Sequence, residues 1–169
     1  MNDTLYDFTV PVFIKSLGGL KTVLAKAKDH GLDEAALLAD RLAPDMFPFV
    51  KQVQIACDNA KGAAARLAGI DVPKFEDTEA TVDELLGRID KTLAFVESVE
   101  KSAFDGAAER TISLPFWNGK HMKGYDYARY YALPNFFFHV TTAYGLVRKN
   151  SVTIGKADYI NGLPLQEPA

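Results

Sequence analysis

Residues 133–150, LPNFFFHVTTAYGLVRKN, are the part of the sequence that best predicts the fold. They place three consecutive phenylalanines, residues 136–138, directly before His139. A helix that is apolar around its whole circumference is usually buried in the middle of a protein. We therefore interpret this stretch as the central part of the last helix of a bundle, with the earlier helices packed around it.

Three further helices are predicted before this stretch. The first has apolar residues at alternating steps of three and four and ends at Gly31, which can adopt the left-handed C-cap. The second follows Pro44 and ends at Gly69, and the third begins at Thr81, which forms a capping box with Glu84. With a fourth helix over residues 125–149, they predict an all-α, antiparallel four-helix bundle.

The connections contain most of the prolines and glycines. Residues 70–80, IDVPKFEDTEA, are predicted to form a turn-rich linker over one end of the bundle. Pro134 is expected to kink the fourth helix or restart it. We assign residues 1–162 to a single bundle domain and residues 163–169 to a C-terminal tail.

Residues 110–125, RTISLPFWNGKHMKGY, carry the strongest β signal in the chain. Asn118 and Gly119 favour a type I′ turn, which would place Phe116 opposite His121. Because two short strands are not stable alone, the hairpin is expected to pack on the bundle surface or on a second subunit. It lies between the third and fourth helices.

Composition restricts the partners and the compartment. The 169 residues carry a formal net charge of −3, and their basic residues are scattered, so the sequence predicts no nucleic-acid partner. No window approaches 18 uninterrupted apolar residues and no signal peptide is recognised, so no membrane association is expected. The single cysteine, Cys57, fits the reducing cytoplasm and is predicted to be a buried apolar residue.

Three blocks of sequence resemble a known family. They are residues 41–69, RLAPDMFPFVKQVQIACDNAKGAAARLAG, residues 132–150, ALPNFFFHVTTAYGLVRKN, and residues 155–160, GKADYI. Over residues 5–161 the chain is similar to an uncharacterised bacterial domain family grouped with the DinB/YfiT-like four-helix bundles. The resemblance implies an antiparallel, often homodimeric bundle. Better-known members of that superfamily hold a divalent metal with three histidines, and some are thiol transferases, isomerases or hydrolases.

The histidine triad of that superfamily is incomplete in this sequence. The resemblance implies one histidine on the second helix and two on the fourth, four residues apart. Only His139 matches, because Asn135 and Ala143 occupy the positions four residues away and the second helix has no histidine. A substitute set for zinc, nickel or manganese would combine His139 with other donors. Those candidate donors are Asp58 or Asp45, together with His121 or a tyrosine.

Three interpretations of His139 remain open at this point. It is a buried neutral histidine with a structural hydrogen bond, a residual metal ligand, or a general base paired with Tyr144 or Asp58. His139 and Tyr144 are thus the candidate catalytic residues. The candidate ligand-binding residues are Asn135, Phe136, His139 and Asp58.

These patterns lead to three functional hypotheses. The first is a bundle that binds a small molecule between its helices and has an incomplete metal triad. The second is a metal-dependent transferase or hydrolase that uses His139 and carboxylates. The third is a non-enzymatic, dimeric structural or interaction module. The sequence leaves open whether the protein is an enzyme and whether it uses any cofactor.

Overall fold

The computed structural model describes residues 5–167. The four long helices are α1 (Leu5–Asp29), α3 (Phe49–Ala68), α4 (Val82–Glu97) and α6 (Leu133–Lys149). The short elements are α2 (Glu34–Ala39), β1 (Thr111–Ser113), β2 (His121–Lys123), α5 (Gly124–Asp126) and α7 (Lys156–Ile160). The predicted four-helix bundle, with a hairpin between its third and fourth long helices, is confirmed.

Paired side chains show the relative direction of α1 and α4. Lys21 Nζ lies 2.5 Å from Asp90 Oδ1, and Lys28 Nζ lies 2.6 Å from Asp83 Oδ1. Residue numbers rise along α1 while those of its partners fall along α4, so these neighbours are antiparallel. The same test makes α3 and α6 antiparallel, since Gln52 contacts His139 whereas Arg66, at the other end of α3, faces Tyr127.

The linker of residues 70–80 runs along the side of the bundle. Asp77 lies 2.7 Å from Lys51 Nζ in the first turn of α3, whereas the Phe75 ring lies beneath Lys61 Nζ further along that helix. The predicted position over the bundle end is therefore wrong. The reason is that α3 and α4 run in the same direction, so the chain must return along the full length of α3. Eleven extended residues reach about 36 Å, enough to cover the roughly 30 Å of that helix.

The three phenylalanines before His139 are not equally buried. Phe136 is fully buried and makes an edge-to-face contact with Phe13 of α1 at 4.9 Å, whereas Phe138 is 53% exposed. Consecutive residues of a helix point in directions about 100° apart. Only Phe136 can therefore face the core centre, and the prediction that the whole stretch is buried all round is wrong for Phe138.

Helix α1 is long and apolar enough, by length and composition alone, to cross a membrane. The rule of 18 uninterrupted apolar residues did not indicate this. Core helices of bundles meet the same criterion, and α1 buries Phe13, Leu17 and Leu24 completely against the other long helices. It continues through Pro11 without interruption.

The hairpin has a different register from the predicted one. Ser113 pairs with His121, so the predicted pairing of Phe116 with His121 is wrong. Proline cannot donate to a strand ladder, and Pro115 starts a short 3-10 turn instead. Asn118 and Gly119 both have positive φ, 51° and 80°, as a type I′ turn requires.

The chain enters α6 through a π-helical segment, Tyr127–Ala132, that follows α5 directly. At the end of this segment the N–H of the next residue, Leu133, donates to the Ala128 carbonyl, five residues back. Pro134 follows at once and has no N–H to donate, so the irregularity predicted at this proline takes the form of a widened turn. Such widened turns are frequent at functional sites.

Candidate functional site

A cleft of about 220 Å³ lies between α3, the turn that follows β1, and the start of α6. We call it the α3–α6 cleft. Its polar lining residues are Asp58, Asn59, Arg66, Tyr127, Tyr131 and Asn135, and its apolar lining residues are Ile55, Leu114 and Phe116. Two of the predicted ligand-binding residues, Asp58 and Asn135, therefore lie in one cleft.

Helical spacing brings these side chains together. Tyr127, Tyr131 and Asn135 follow one another at steps of four, which places them on one face of the helical run into α6. Ile55 and Asn59 are also four apart and share the facing side of α3. The antiparallel packing of α3 against α6 closes the two faces on each other.

Arg66 is the basic residue of the cleft. Its guanidinium faces the Tyr127 hydroxyl and folds back over Gly62, where a Cβ atom would lie 2.3 Å from Arg66 Nη1. Within residues 5–167, no carboxylate lies within 4.0 Å of this guanidinium. Arg66 is thus a positioned cation without an ion-pair partner in that part of the chain.

The two tyrosines of the cleft are hydrogen-bond donors near neutral pH. Burial raises the pKa of Tyr127 and of Tyr131, and the nearby positive charge of Arg66 opposes that rise. Because both pKa values lie above the usual 10.0, both hydroxyls keep their protons. The indole of Trp117 packs on both rings, at centroid distances of 6.2 Å and 5.4 Å.

Asn59 supplies a buried acceptor without a partner. The residue is 9% exposed, and its Oδ1 atom has no hydrogen-bond partner in the described part of the chain. Buried polar atoms nearly always have a partner, because an unpaired one costs about 1–3 kcal/mol. Asn59 is therefore a residue of the cleft wall that carries an unpaired buried acceptor.

Asp58 belongs to a charge network. Its Oδ1 atom lies 2.8 Å from Arg88 Nη2 and 2.9 Å from Lys61 Nζ. The Arg88 side chain, 1% exposed, also contacts Asp77 at 2.9 Å and Glu79 at 3.0 Å. Burial alone would raise the pKa of Glu79, but hydrogen bonds from Arg88 and Gln54 lower it. This Arg88 network, of which Asp58 is a member, holds the linker against α3 and α4.

His139 lies one helical turn beyond Asn135. It is 6% exposed, and its Nδ1 atom lies 2.7 Å from Oε1 of Gln52. Since an amide oxygen only accepts, His139 donates its Nδ1 proton, and burial lowers its pKa so that the ring is neutral. The hydrogen-bond partner of His139 is thus Gln52. Tyr144, a predicted partner of His139, packs instead on Tyr159, with the ring centroids 5.8 Å apart.

The other predicted site residues are dispersed. Phe136 is in the core, Asp45 is exposed before α3, and His121 is exposed on β2. Residues 5–167 contain no group of three or more His, Cys, Asp or Glu side chains that could hold a metal ion. Since these donors are dispersed and Asp58 is bound to two cations, the donor set does not fit a three-ligand metal centre.

Sequence reasoning missed four residues of this region: Gln52, Asn59, Arg66 and Tyr127. One usable signal was present. Tyr127, Tyr131, Asn135 and His139 recur at steps of four, a polar stripe on an otherwise apolar helix. No comparable signal marks Arg66, because its role depends on Gly62 and on a helix distant in sequence.

The architecture and its cleft define a four-helix bundle whose first and last long helices run in the direction opposite to the two between them. The family model of a domain of unknown function, DUF1993, matches residues 5–160, and the chain belongs to this family. It is similar to a DinB family member protein from Shewanella denitrificans, whose crystal structure shares 44% identity and a TM-score of 0.92. That match covers 97% of this chain and 96% of the other. A comparison with curated proteins gave no match.

Proposed function

We propose that this DinB-family domain binds a small molecule in the α3–α6 cleft. The observation that carries the proposal is the buried, unpaired Oδ1 atom of Asn59 in the cleft wall. Ligand sites typically combine apolar walls with a few convergent polar groups. The α3–α6 cleft has this composition, and a π-helical turn forms one of its sides.

The size of the cleft restricts the ligand. A volume of about 220 Å³ is smaller than the roughly 300–1,000 Å³ typical of sites for drug-sized molecules. We therefore expect a compact ligand, about the size of one substituted ring or a short chain. The Gln52–His139 hydrogen bond lies one turn away along both helices and fixes the distance between the cleft walls.

Trp117 makes the proposal testable. It is the only tryptophan of the chain and packs on both cleft tyrosines. A panel of fragment-sized acids, amides, amines and alcohols should therefore contain compounds that change its fluorescence and raise the melting temperature. Tyr131→Phe and Asn59→Leu should weaken the binding of such compounds.

Tyr130→Phe is the matched control for Tyr131→Phe. Tyr130 is 60% exposed and stacks against Arg129 outside the cleft, so the same hydroxyl deletion should leave binding unchanged. A panel in which no compound changes either the Trp117 emission or the melting temperature would contradict the proposal.

The metal-dependent alternative has its own measurement. After loading with zinc, nickel or manganese, elemental analysis should find less than stoichiometric metal, because the candidate donors of the chain are dispersed. About one equivalent per chain, lost in His139→Ala, would instead support a metal-dependent transferase or hydrolase.

A second candidate function is a dimeric interaction module. An apolar groove between the start of α1 and the start of the fourth long helix favours it, since Phe8 is 57% and Tyr125 51% exposed there. We propose that this groove contributes to the homodimer expected from the sequence. Sedimentation velocity tests this: Phe8→Ser should shift the protein toward monomer, whereas Phe138→Ser, an equal change elsewhere, should not.

A further inference from the structure

We propose that the ligand of the α3–α6 cleft is a small carboxylate that also carries a hydrogen-bond donor, with the carboxylate on Arg66 and the donor on Asn59. This inference rests on the proposed function, because it requires that the cleft binds a small molecule. It adds the chemical class of that molecule and the orientation in which it binds.

Arg66 defines the anionic end. It has no ion-pair partner within residues 5–167, and the Tyr127 hydroxyl beside it is a further donor. The guanidinium occupies the space that the missing side chain of Gly62 leaves open, and it hydrogen-bonds with the Tyr127 hydroxyl. A positioned guanidinium presents two parallel N–H groups, a geometry that matches a carboxylate.

The charged side chains around the cleft leave one positive charge, that of Arg66, for a ligand to neutralise. In the Arg88 network three cations face three carboxylates: Arg88, Lys61 and Lys51 against Asp58, Asp77 and Glu79. The Asp58 carboxylate does line the cleft, but Arg88 and Lys61 both contact its Oδ1 atom within 2.9 Å. Arg66 is the additional cation, so the cleft attracts a monoanion.

The position of Arg66 also argues against a phosphate dianion. Arg66 lies in the last turn of α3, where the helix dipole is negative. Phosphate groups are typically bound at helix N-termini, where backbone N–H groups are free. A singly charged carboxylate is therefore the better match for a single arginine at this end of the helix.

Asn59 defines the second contact. Its unpaired Oδ1 atom can only accept, so an O–H or N–H group on the ligand is the partner that matches it. Ile55, Leu114 and Phe116 line the cleft with apolar surface and call for an apolar or aromatic body. Benzoates and short acids with a distal hydroxyl have this combination of groups.

Paired acids and amides test the anionic contact. The probes are 4-hydroxybenzoate with 4-hydroxybenzamide, and 4-hydroxybutyrate with 4-hydroxybutyramide, measured by isothermal titration calorimetry on the full chain. Each acid should bind at least about tenfold more tightly than its amide, since a charge-assisted pair is roughly twice as strong as a neutral one. Arg66→Gln should remove that preference.

Arg129→Gln is the matched control for charge. Arg129 is exposed and packs over Tyr130 outside the cleft, so Arg129→Gln should retain the preference for the acid.

The donor contact is tested with benzoate, which lacks the hydroxyl and should bind at least about fivefold more weakly than 4-hydroxybenzoate. Asn59→Leu should abolish that difference.

The outcomes separate the two proposals. If the amides bind as well as the acids, the cleft is a small-molecule site, but the carboxylate assignment is overturned and Arg66 is only a cation in the last turn of α3. If neither member of either pair binds while other compounds of the fragment panel do, this inference alone fails, whereas a panel in which no compound binds overturns the proposed function as well. Should Arg66→Gln unfold, the comparison of acid and amide on the unaltered protein still decides the question, and Arg66→Lys should retain only part of the preference.

Discussion

His139 Nδ1 and Gln52 Oε1 lie 2.7 Å apart, and their hydrogen bond joins α6 to α3 across the bundle. The Gln52 amide nitrogen also donates to the Phe47 carbonyl at 2.9 Å, so both ends of this amide are paired. Only His139 matched the metal triad implied by the family resemblance, and the bond that its Nδ1 atom makes here is to an amide oxygen. Through that bond His139 joins two helices of the core.

The first prediction concerns this hydrogen bond. Gln52→Leu should lower the free energy of unfolding by about 1–3 kcal/mol, because it leaves the buried N–H of His139 unpaired. Urea denaturation measures this. The double variant Gln52→Leu/His139→Leu is the control, and it should recover part of the loss because both polar partners are removed together. If the loss in the double variant equalled the sum of the losses in Gln52→Leu and His139→Leu, the two side chains would not be coupled.

The second prediction concerns pH. Burial lowers the pKa of His139 below the usual 6.5, so the unfolded chain binds more protons than the folded chain as the pH falls. The contribution of His139 to stability should be complete above about pH 6.5 and should decrease below it, by up to about 1.4 kcal/mol per pH unit. Urea denaturation at about pH 7.5 and about pH 5.5 should show this decrease.

Two variants separate His139 from the other titrating groups. His139→Asn should remove the decrease, whereas His121→Asn, at an exposed position, should retain it. Carboxylates with lowered pKa values, such as Glu79 and Asp77, lose their contribution only as the pH falls below about 4. An equal decrease in the wild-type protein and in His139→Asn would show that another group titrates.

The third prediction concerns the Arg88 network. Arg88→Met should cost about 3–5 kcal/mol, because it leaves three carboxylates without their shared buried cation. Hydrogen exchange should also accelerate in residues 76–80, which Arg88 holds against the bundle. Lys21→Met, which breaks the exposed pair with Asp90, should cost no more than about 1 kcal/mol. Comparable losses in both variants would contradict a central role for Arg88.

The fourth prediction compares two helical glycines. A Cβ atom at Gly19 would lie 2.4 Å from the Tyr159 carbonyl oxygen, so Gly19→Ala should displace α7 and cost about 1–3 kcal/mol. A Cβ atom at Gly87, on the exposed side of α4, meets no atom within 4 Å. Gly87→Ala should therefore stabilise the protein by about 0.5–1 kcal/mol. Thermal unfolding should show shifts of opposite sign, and a shared sign would refute the close approach of α7.

The fifth prediction concerns Cys57. Burial raises the pKa of its thiol to about 12, and a hydrogen bond with Thr92 opposes that rise only in part. Since the thiolate is the reactive form, the native protein should not react with a thiol-specific disulfide reagent near pH 8. Labelling should begin only in urea, at the unfolding transition. Rapid labelling without denaturant would contradict the burial of Cys57.

Local sequence signals predicted the individual elements well. Thr81 and Glu84 form the predicted capping box, and Gly69 takes the left-handed cap at the end of α3. These features depend on residues close together in sequence, so spacing and residue type were sufficient to identify them. The hairpin register was missed because Pro115 ends the strand pairing earlier than the turn signal at Asn118 implies.

The candidate site depended on contacts that are distant in sequence. His139 was recognised from the chain alone, but its partner Gln52 is 87 positions away. Arg66 looked like an ordinary basic residue at a helix end, and only its packing over Gly62 and against Tyr127 makes it part of a cleft. Asn59 has no distinguishing neighbours in sequence, so its unpaired oxygen is visible only once α3 and α6 are packed together.

A helical bundle with a small hairpin could be predicted from the amino-acid sequence, because apolar periodicity, caps and turn residues act over a few positions. Tertiary structure alone decided that α3 and α4 run in the same direction, that the linker lies along them, and that Arg88 holds it there. It also decided which polar groups meet in the α3–α6 cleft. Helix periodicity specifies which face is buried, whereas the partner of that face follows from packing the whole chain.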